Sequence, residues 1–581
     1  MMYNVTKLTI FAFLAFFLYF IFLIYDTFLS VPYFISEPQN YIKICKGIQP
    51  PDPWDKSILK YHDFSEIEPL NCSKSRVQPE LSYLENGFLY LNLTENIECL
   101  YRSYEKSKKD DDKLNYSEWY SISTIPIKIM DEFIEIECRK TTFPRSKIYS
   151  NNHFQILKKP ENEKSEEIGE SVLIIVLDSV SHSNFIRNMN KTLKVLTENY
   201  KTHIFNGMTK VGDNSFENAA AFFAGKNSSE FPTKHGFFDE YQMIWDIYKN
   251  QGFSTLYAED YPQFNLFNYL AKGFKKKPVD HYFRPFWLNV YGSNIHRRSR
   301  YLCYGNQKMH QLQISYISQF ISSSKNRKKL GIGWFTELGH DWLNQIRLGD
   351  QDFSHFFREN QKNLENYWII VMADHGHRFD RIRKTKIGRI EERLPFFSIS
   401  VPKQKRGSDV DRILGDNQNK LVSFWDVHKT LIDLSGFSSS KTEYSRGISL
   451  LTSIPDRSCQ QSDIPEEFCV CQDEPELSIN SPTILFLAEK IVEFINEKID
   501  RTKCAEMSLS QILSATIVEE HRKYRIGIEV RPSNAQFEAV IDKNGKIFGD
   551  INRINKYGNQ SICIKDNQFL RKLCFCLQFL V

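Results

Sequence analysis

A chain of 581 residues is too long for one small core and leaves room for one large domain with smaller attachments. Its apolar fraction of 41% and its 45 phenylalanines exclude a disordered chain. With 75 basic and 71 acidic residues mixed along the sequence, a net charge of +4 excludes an electrostatic nucleic-acid binder, and no nucleic-acid partner is expected.

Residues 8–25 carry no charge and no helix breaker, close to the ~20 apolar residues that cross a bilayer. A cleaved signal peptide competes, but its apolar core runs about 7–15 residues and ends near small residues, whereas Tyr25, Asp26, Thr27 and Phe28 follow here. Lys7 before the segment and Asp26 after it place the N-terminus in the cytoplasm. The expectation is a single-pass type II membrane protein: residues 1–7 a cytoplasmic tail, 8–25 the signal anchor and membrane partner, the remainder luminal or extracellular. All twelve cysteines follow the anchor, as do sequons at Asn71, Asn92, Asn115, Asn190, Asn227 and Asn559. One intervening residue separates Cys469 from Cys471 and Cys574 from Cys576, which disfavours a zinc knuckle and favours disulfides whose pairing stays open.

Residues 26–165, with four cysteines and short alternating stretches, read as a disulfide-tied lead region, and the acidic stretch 161–170 as a linker. From 170 to 455, apolar runs at 172–177, 253–260, 330–340, 368–376 and 395–402 alternate with helical patterns at 216–224, 241–251, 308–322 and 423–434. That alternation predicts a doubly wound, mostly parallel α/β sheet. Residues 456–581 read as a smaller cysteine-containing subdomain, with a helix near 483–499 and a hairpin turn at Asn544-Gly545.

Open parallel sheets bind ligands beyond the carboxyl ends of their strands. Here Asp178 ends one run, Glu259 and Asp260 a second, and Asp374-His375-Gly376 a fourth, while Glu337, His340 and Asp341 follow a third. Carboxylates and imidazoles at one rim suit a divalent cation, with Asp178, Asp374 and His375 the first-rank ligands. Ser215, opening a helix after Gly212, fits a nucleophile held where free amides and the dipole favour an anion. A plain serine cap is the plainer reading, and Ser179 and Ser181 compete with it.

The ordered motifs VLIIVLDSVSHSNF, KVGDNSFENAAAFFAG, LGHDWLN and MADHGHRFDRIRKTK resemble the metazoan family called domain of unknown function 229, itself similar to the alkaline phosphatase and sulfatase superfamily, over about residues 43–577. The resemblance implies an alkaline phosphatase-like core. It also implies a metal on Asp178, Asp374, His375 and Ser215, with Ser215 and His340 catalytic. Asn214, Asp341, Arg378, Arg383 and Lys386 become substrate-binding residues by the same resemblance. Ser215 lacks the C/S-x-P-x-R context of formylglycine sulfatases, so phosphate esters rank ahead of sulfate esters, as hydrolysis or transfer on an anionic ester or glycoconjugate. Zinc is the first metal, with calcium and manganese as alternatives. Thr336 stands where two-metal relatives carry an Asp, so a second metal site is disfavoured. A catalytically silent ectodomain of the same fold is the alternative function.

Overall fold

The computed structural model describes residues 44–580 apart from 64, 66–67, 75–76, 93–95, 158–168, 232–235, 270, 324–326, 438–445, 472, 519–522 and 565–566. The anchor expected at 8–25 and most of the acidic linker lie outside the described residues. Among the described residues no helix is long and apolar enough to cross a membrane.

A seven-stranded sheet forms the centre. Its strands in chain order are β1 (Ser171–Leu177), β2 (His203–Ile204), β3 (Ser254–Glu259), β4 (His281–Tyr282), β5 (Lys329–Phe335), β6 (Tyr367–Met372) and β7 (Phe397–Ser400). The spatial order is β2-β7-β6-β1-β5-β3-β4. All pairs are parallel except those made by β7, which runs against both β6 and β2. The apolar runs are continuous because helices cover both faces. Val172, Ile174, Val176, Trp368, Ile370 and Met372 point into one core, which includes the helices Ser215–Ala224, Ile244–Asn250 and Phe424–Leu434. Leu173, Ile175, Leu177, Ile369 and Val371 point into the other, against Asn190–Tyr200, Met309–Ser322 and Asp350–Glu359.

Smaller antiparallel sheets flank this core. Strands Ile97–Lys106, Phe133–Lys140 and Lys147–Phe154 lie on the N-terminal side. On the C-terminal side four strands between Ser508 and Arg553 pair in sequential order, backed by the helix Pro482–Lys498. The turn at Asn544-Gly545 joins the last two of these, with Gly545 at φ +88°. All twelve cysteines pair: Cys45–Cys471, Cys72–Cys303, Cys99–Cys138, Cys459–Cys469, Cys504–Cys574 and Cys563–Cys576. The middle of the chain is not free of these ties, since Cys303 holds the lead region to the core.

Candidate active site

Strand register builds the site. Leu173 to Val176 pair with Ile369 to Met372, and Ile174 to Leu177 with Ile332 to Phe335. Continued past the strand ends, these registers set Asp178 between Asp374 and Thr336. Side chains alternate along a strand, so Asp178 and Asp374 extend the series Val172-Ile174-Val176 and Trp368-Ile370-Met372 onto the face that carries the helix Ser215–Ala224. His375 breaks the alternation because the chain turns there. Gly376 permits that turn: a Cβ would meet the Glu391 carbonyl oxygen at 2.4 Å. Gly339, in the loop after β5, similarly lies against the Asp178 carbonyl, which a Cβ would approach to 2.2 Å.

Asp178, Asp374 and His375 are buried, with one ligand atom of each within 4.8 Å of the others. The His375 Nδ1–H donates to the Gly376 carbonyl at 2.9 Å, leaving the Nε2 lone pair inward. That nitrogen lies 3.3 Å from Asp374 Oδ2, a buried oxygen without a hydrogen-bond partner. The other Asp374 oxygen accepts from the Ser179 and His375 amides, both at 3.0 Å. Asp178 accepts from the Ser179 hydroxyl at 2.8 Å and from Trp334 Nε1 at 3.3 Å. Burial, and then Asp374 beside it, raise the Asp178 carboxyl above its ordinary range. Two donors on one ion at about 2.0–2.6 Å stand no more than about 5 Å apart, so this convergence of acceptor atoms fits a divalent cation.

Ser215 completes the set, its Oγ 3.2 Å from His375 Nε2. The helix cap is Asn214: its side chain accepts from the Phe216 and Glu217 amides, and Glu217 reaches back in a capping box. Ser215 is therefore the first helical residue, with its hydroxyl released from capping. Asn218 fixes the preceding turn, accepting from the Val211 and Gly212 amides and donating to the Gly212 and Asn214 carbonyls. The competing serines have other duties. Ser181 caps the helix His182–Asn188 and donates to Glu391, while Ser179, at φ +64°, supports the two aspartates.

His340 stands at the rim, half-buried, with Nδ1 3.4 Å from Asp341. Burial opposes its charge, but Asp341, Asp178 and Asp374 outweigh it and raise the imidazole pKa. Asp341 also accepts from Lys556 at 3.1 Å. Arg378 joins the site through Asp213, at 2.6 Å, two residues before Ser215. Arg383 does not: it turns to Glu392 and Glu538, each at 3.7 Å, and is structural. Lys386 is an exposed first residue of the helix Lys386–Arg393 and is not part of the cluster. Asp350 caps Asn190–Tyr200 by accepting from Lys191 and Thr192, and Asn344 donates to the Tyr61 carbonyl. His377 is buried and held neutral, its pKa lowered to about 3 chiefly by burial. At the position of a second metal's Asp, Thr336 donates its amide to Asp260 at 2.7 Å, and its buried hydroxyl has no hydrogen-bond partner. Sequence reading missed Asp213, Glu217 and Lys556. The spacing of Asn214 and Glu217 is a capping-box signal, whereas nothing near Lys556 announces its partner.

The fold and site thus define a three-layer α/β protein with a carboxylate–imidazole–serine cluster at the carboxyl edge of its sheet. The chain belongs to the family described as "Protein of unknown function (DUF229)", whose sequence model matches residues 65–513, a narrower span than 43–577. No curated protein matches it by sequence. Among solved structures it is similar to a protein in the alkaline phosphatase superfamily from Vibrio parahaemolyticus, at 12% identity and TM-score 0.35, covering 70% of this chain and 86% of that one. The C-terminal periplasmic domain of EcEptC from Escherichia coli is similar at 10% identity and TM-score 0.35, over 50% and 88% of the two chains. The PsFucS1 sulfatase from Pseudoalteromonas sp. is similar at 12% identity and TM-score 0.33, over 52% and 77%.

Proposed function

We propose that this chain is a metal-dependent hydrolase or transferase of phosphate esters, with sulfate esters the second class, acting through Ser215. The observation that carries the reading is the serine hydroxyl, freed by Asn214, at a helix N-terminus 3.2 Å from His375 Nε2 and beside the unpartnered Asp374 Oδ2. Asp178, Asp374, His375 and Ser215 would hold the ion, and the imidazole nitrogen among them speaks for zinc or manganese over the oxygen-seeking calcium. When bound, such a cation lowers the hydroxyl pKa and balances charge on the ester oxygens.

Ser215 Oγ loses its proton to solvent and attacks phosphorus as the bond to the leaving alcohol breaks. His340, held protonated by Asp341, gives its proton to the departing oxygen. The N-terminal end of the ten-residue helix and Arg378 stabilise the phosphoryl oxygens, and the phosphoserine passes its group to water or to an acceptor alcohol. Six disulfides and the exposed positions of the six sequon asparagines that follow residue 25 support a glycosylated domain in an oxidising lumen or outside the cell, anchored by residues 8–25.

The test is elemental analysis of the purified chain and its Asp374→Ala variant, beside phosphate release from a phosphomonoester by the parent and by Ser215→Ala. Stoichiometric metal lost with Asp374, and turnover lost with Ser215, are the expected results. A folded, metal-free and inert parent would overturn the reading in favour of a silent ectodomain.

A further inference from the structure

The residues around His340 come from two parts of the chain that the family match separates. On one side Lys556 Nζ reaches Asp341 at 3.1 Å and lies 5.6 Å from the centre of the Trp342 ring. On the other, Phe264 stands 6.0 Å from the His340 ring and 5.4 Å from Tyr269, with the Arg571 guanidinium 6.0 Å from the Tyr269 ring. Trp342 is 62% exposed, and Phe264 and Tyr269 are exposed as well. Both cations belong to the C-terminal subdomain, beyond residue 513, where the family match ends.

This arrangement is not explained by packing. Buried rings stabilise a core, whereas these keep open faces at the mouth of the site. Among the described residues Arg571 forms no ion pair, and its Nε is buried without a hydrogen-bond partner. Lys556 has one carboxylate partner and a half-exposed side chain, which leaves donors for a second anion. His340, the acid proposed for the departing alcohol, adjoins one pair through Asp341 and the other through Phe264, so whatever they bind belongs to the leaving group.

We infer that Lys556 and Arg571 are specificity-determining residues: they bind a second anionic group on a leaving alcohol whose ring lies against Trp342 or Tyr269. The substrate class is a phosphate ester of a ring-bearing alcohol that carries a second anionic group, such as a sugar bisphosphate. This rests on the reading of Ser215 as nucleophile and adds a preference to it. Charge-assisted bonds to a second anion raise affinity by about tenfold or more.

The experiment titrates glucose 1-phosphate and glucose 1,6-bisphosphate into the full chain carrying Ser215→Ala, by calorimetry, alone and with Lys556→Gln or Arg571→Gln. The bisphosphate is expected to bind about tenfold tighter, and each added substitution to cut that ratio several-fold without moving the melting temperature. Equal affinities in the parent, or a ratio unchanged by both substitutions, would overturn the inference. Phosphate release by the unsubstituted chain is read separately. Discrimination without turnover removes the esterase reading and leaves the second-anion site standing, and turnover without discrimination does the reverse.

Discussion

One side-chain oxygen cannot both cap a helix and attack an ester, and the role proposed for Ser215 rests on Asn214 taking the cap. The sequence shows a serine opening a helix but cannot say which residue is the cap, because Asn, Ser and Asp serve almost equally. The decision lies in the Asn214–Glu217 capping box and in the bonds from Asn218 that hold the turn. Asp178, Asp374 and His375 were legible because charged groups at the ends of apolar strands have no use in a core. The directions of Arg383, toward Glu392 and Glu538, and of the exposed Lys386 were not legible for the opposite reason: cations in a loop carry no signature of direction. Replacing Asn214 by Ala should lower stability by about 1 kcal/mol through the lost cap. It should also reduce turnover more than that loss explains, because Ser215 then becomes the nearest capping oxygen and turns from His375. Thermal melting beside phosphate release checks both. A variant that melts lower yet turns over like the parent would show that Ser215 does not depend on its neighbour.

At the scale of elements, hydropathy finds strands that are buried on both faces and is silent on their direction. Strands β1, β3, β5 and β6 follow the expected runs within a few residues. The run at 395–402 forms β7, which runs against its neighbours, because its approach from the short helix Lys386–Arg393 returns the chain along the edge of β6. The two-residue strands β2 and β4 are too short for any period to show. Charge buried between elements has consequences that the sequence also hides. Glu467, in the turn Glu466–Phe468, accepts from the Asp550 amide at 3.0 Å through one oxygen and has no partner for the other. Burial raises its carboxyl to about 7. A carboxyl with a raised folded pKa gives stability that is complete below the unfolded value, about 4.5, and is lost as pH rises through 7. Replacing Glu467 by Gln should therefore flatten the decline in melting temperature between about pH 4.5 and 7 and stabilise the protein at pH 8. Identical pH profiles for the two proteins would mean that Glu467 is charged and solvated in the fold.

Across the whole molecule the C-terminal sheet is joined to the site by buried charge. Glu474 bonds Arg393 at 2.8 Å and Arg525 at 3.1 Å. Arg525 and Arg383 share Glu538, each at 3.7 Å, and Arg383 and Lys210 share Glu392. Lys210 then reaches Asp213 at 3.9 Å, which holds Arg378 at 2.6 Å and lies two residues before Ser215. No spacing in the sequence announces this chain of contacts, nor the pairing of Cys45 with Cys471 across 426 residues, because both arise only when distant segments pack. Burial alone would raise the Glu474 carboxyl, but Arg393 and Arg525 hold it well below the usual carboxylate range. Its stabilisation is thus present above the unfolded pKa and lost as pH falls through the folded one. Removing Glu474 leaves the buried Arg393 without its carboxylate and Arg525 with Glu538 alone, so Glu474→Ala should cost about 3–5 kcal/mol and weaken the acid-side fall in stability, whereas Glu474→Gln, which keeps the shape and one acceptor oxygen but not the charge, should cost less. Melting temperatures measured from pH 3 to pH 8 read both effects. If the network serves the site as well as the fold, Glu474→Gln should also lose turnover at a temperature where it remains fully folded, since the path from Glu474 ends at Arg378. Unchanged turnover in that folded variant would confine the network to holding the C-terminal sheet in place.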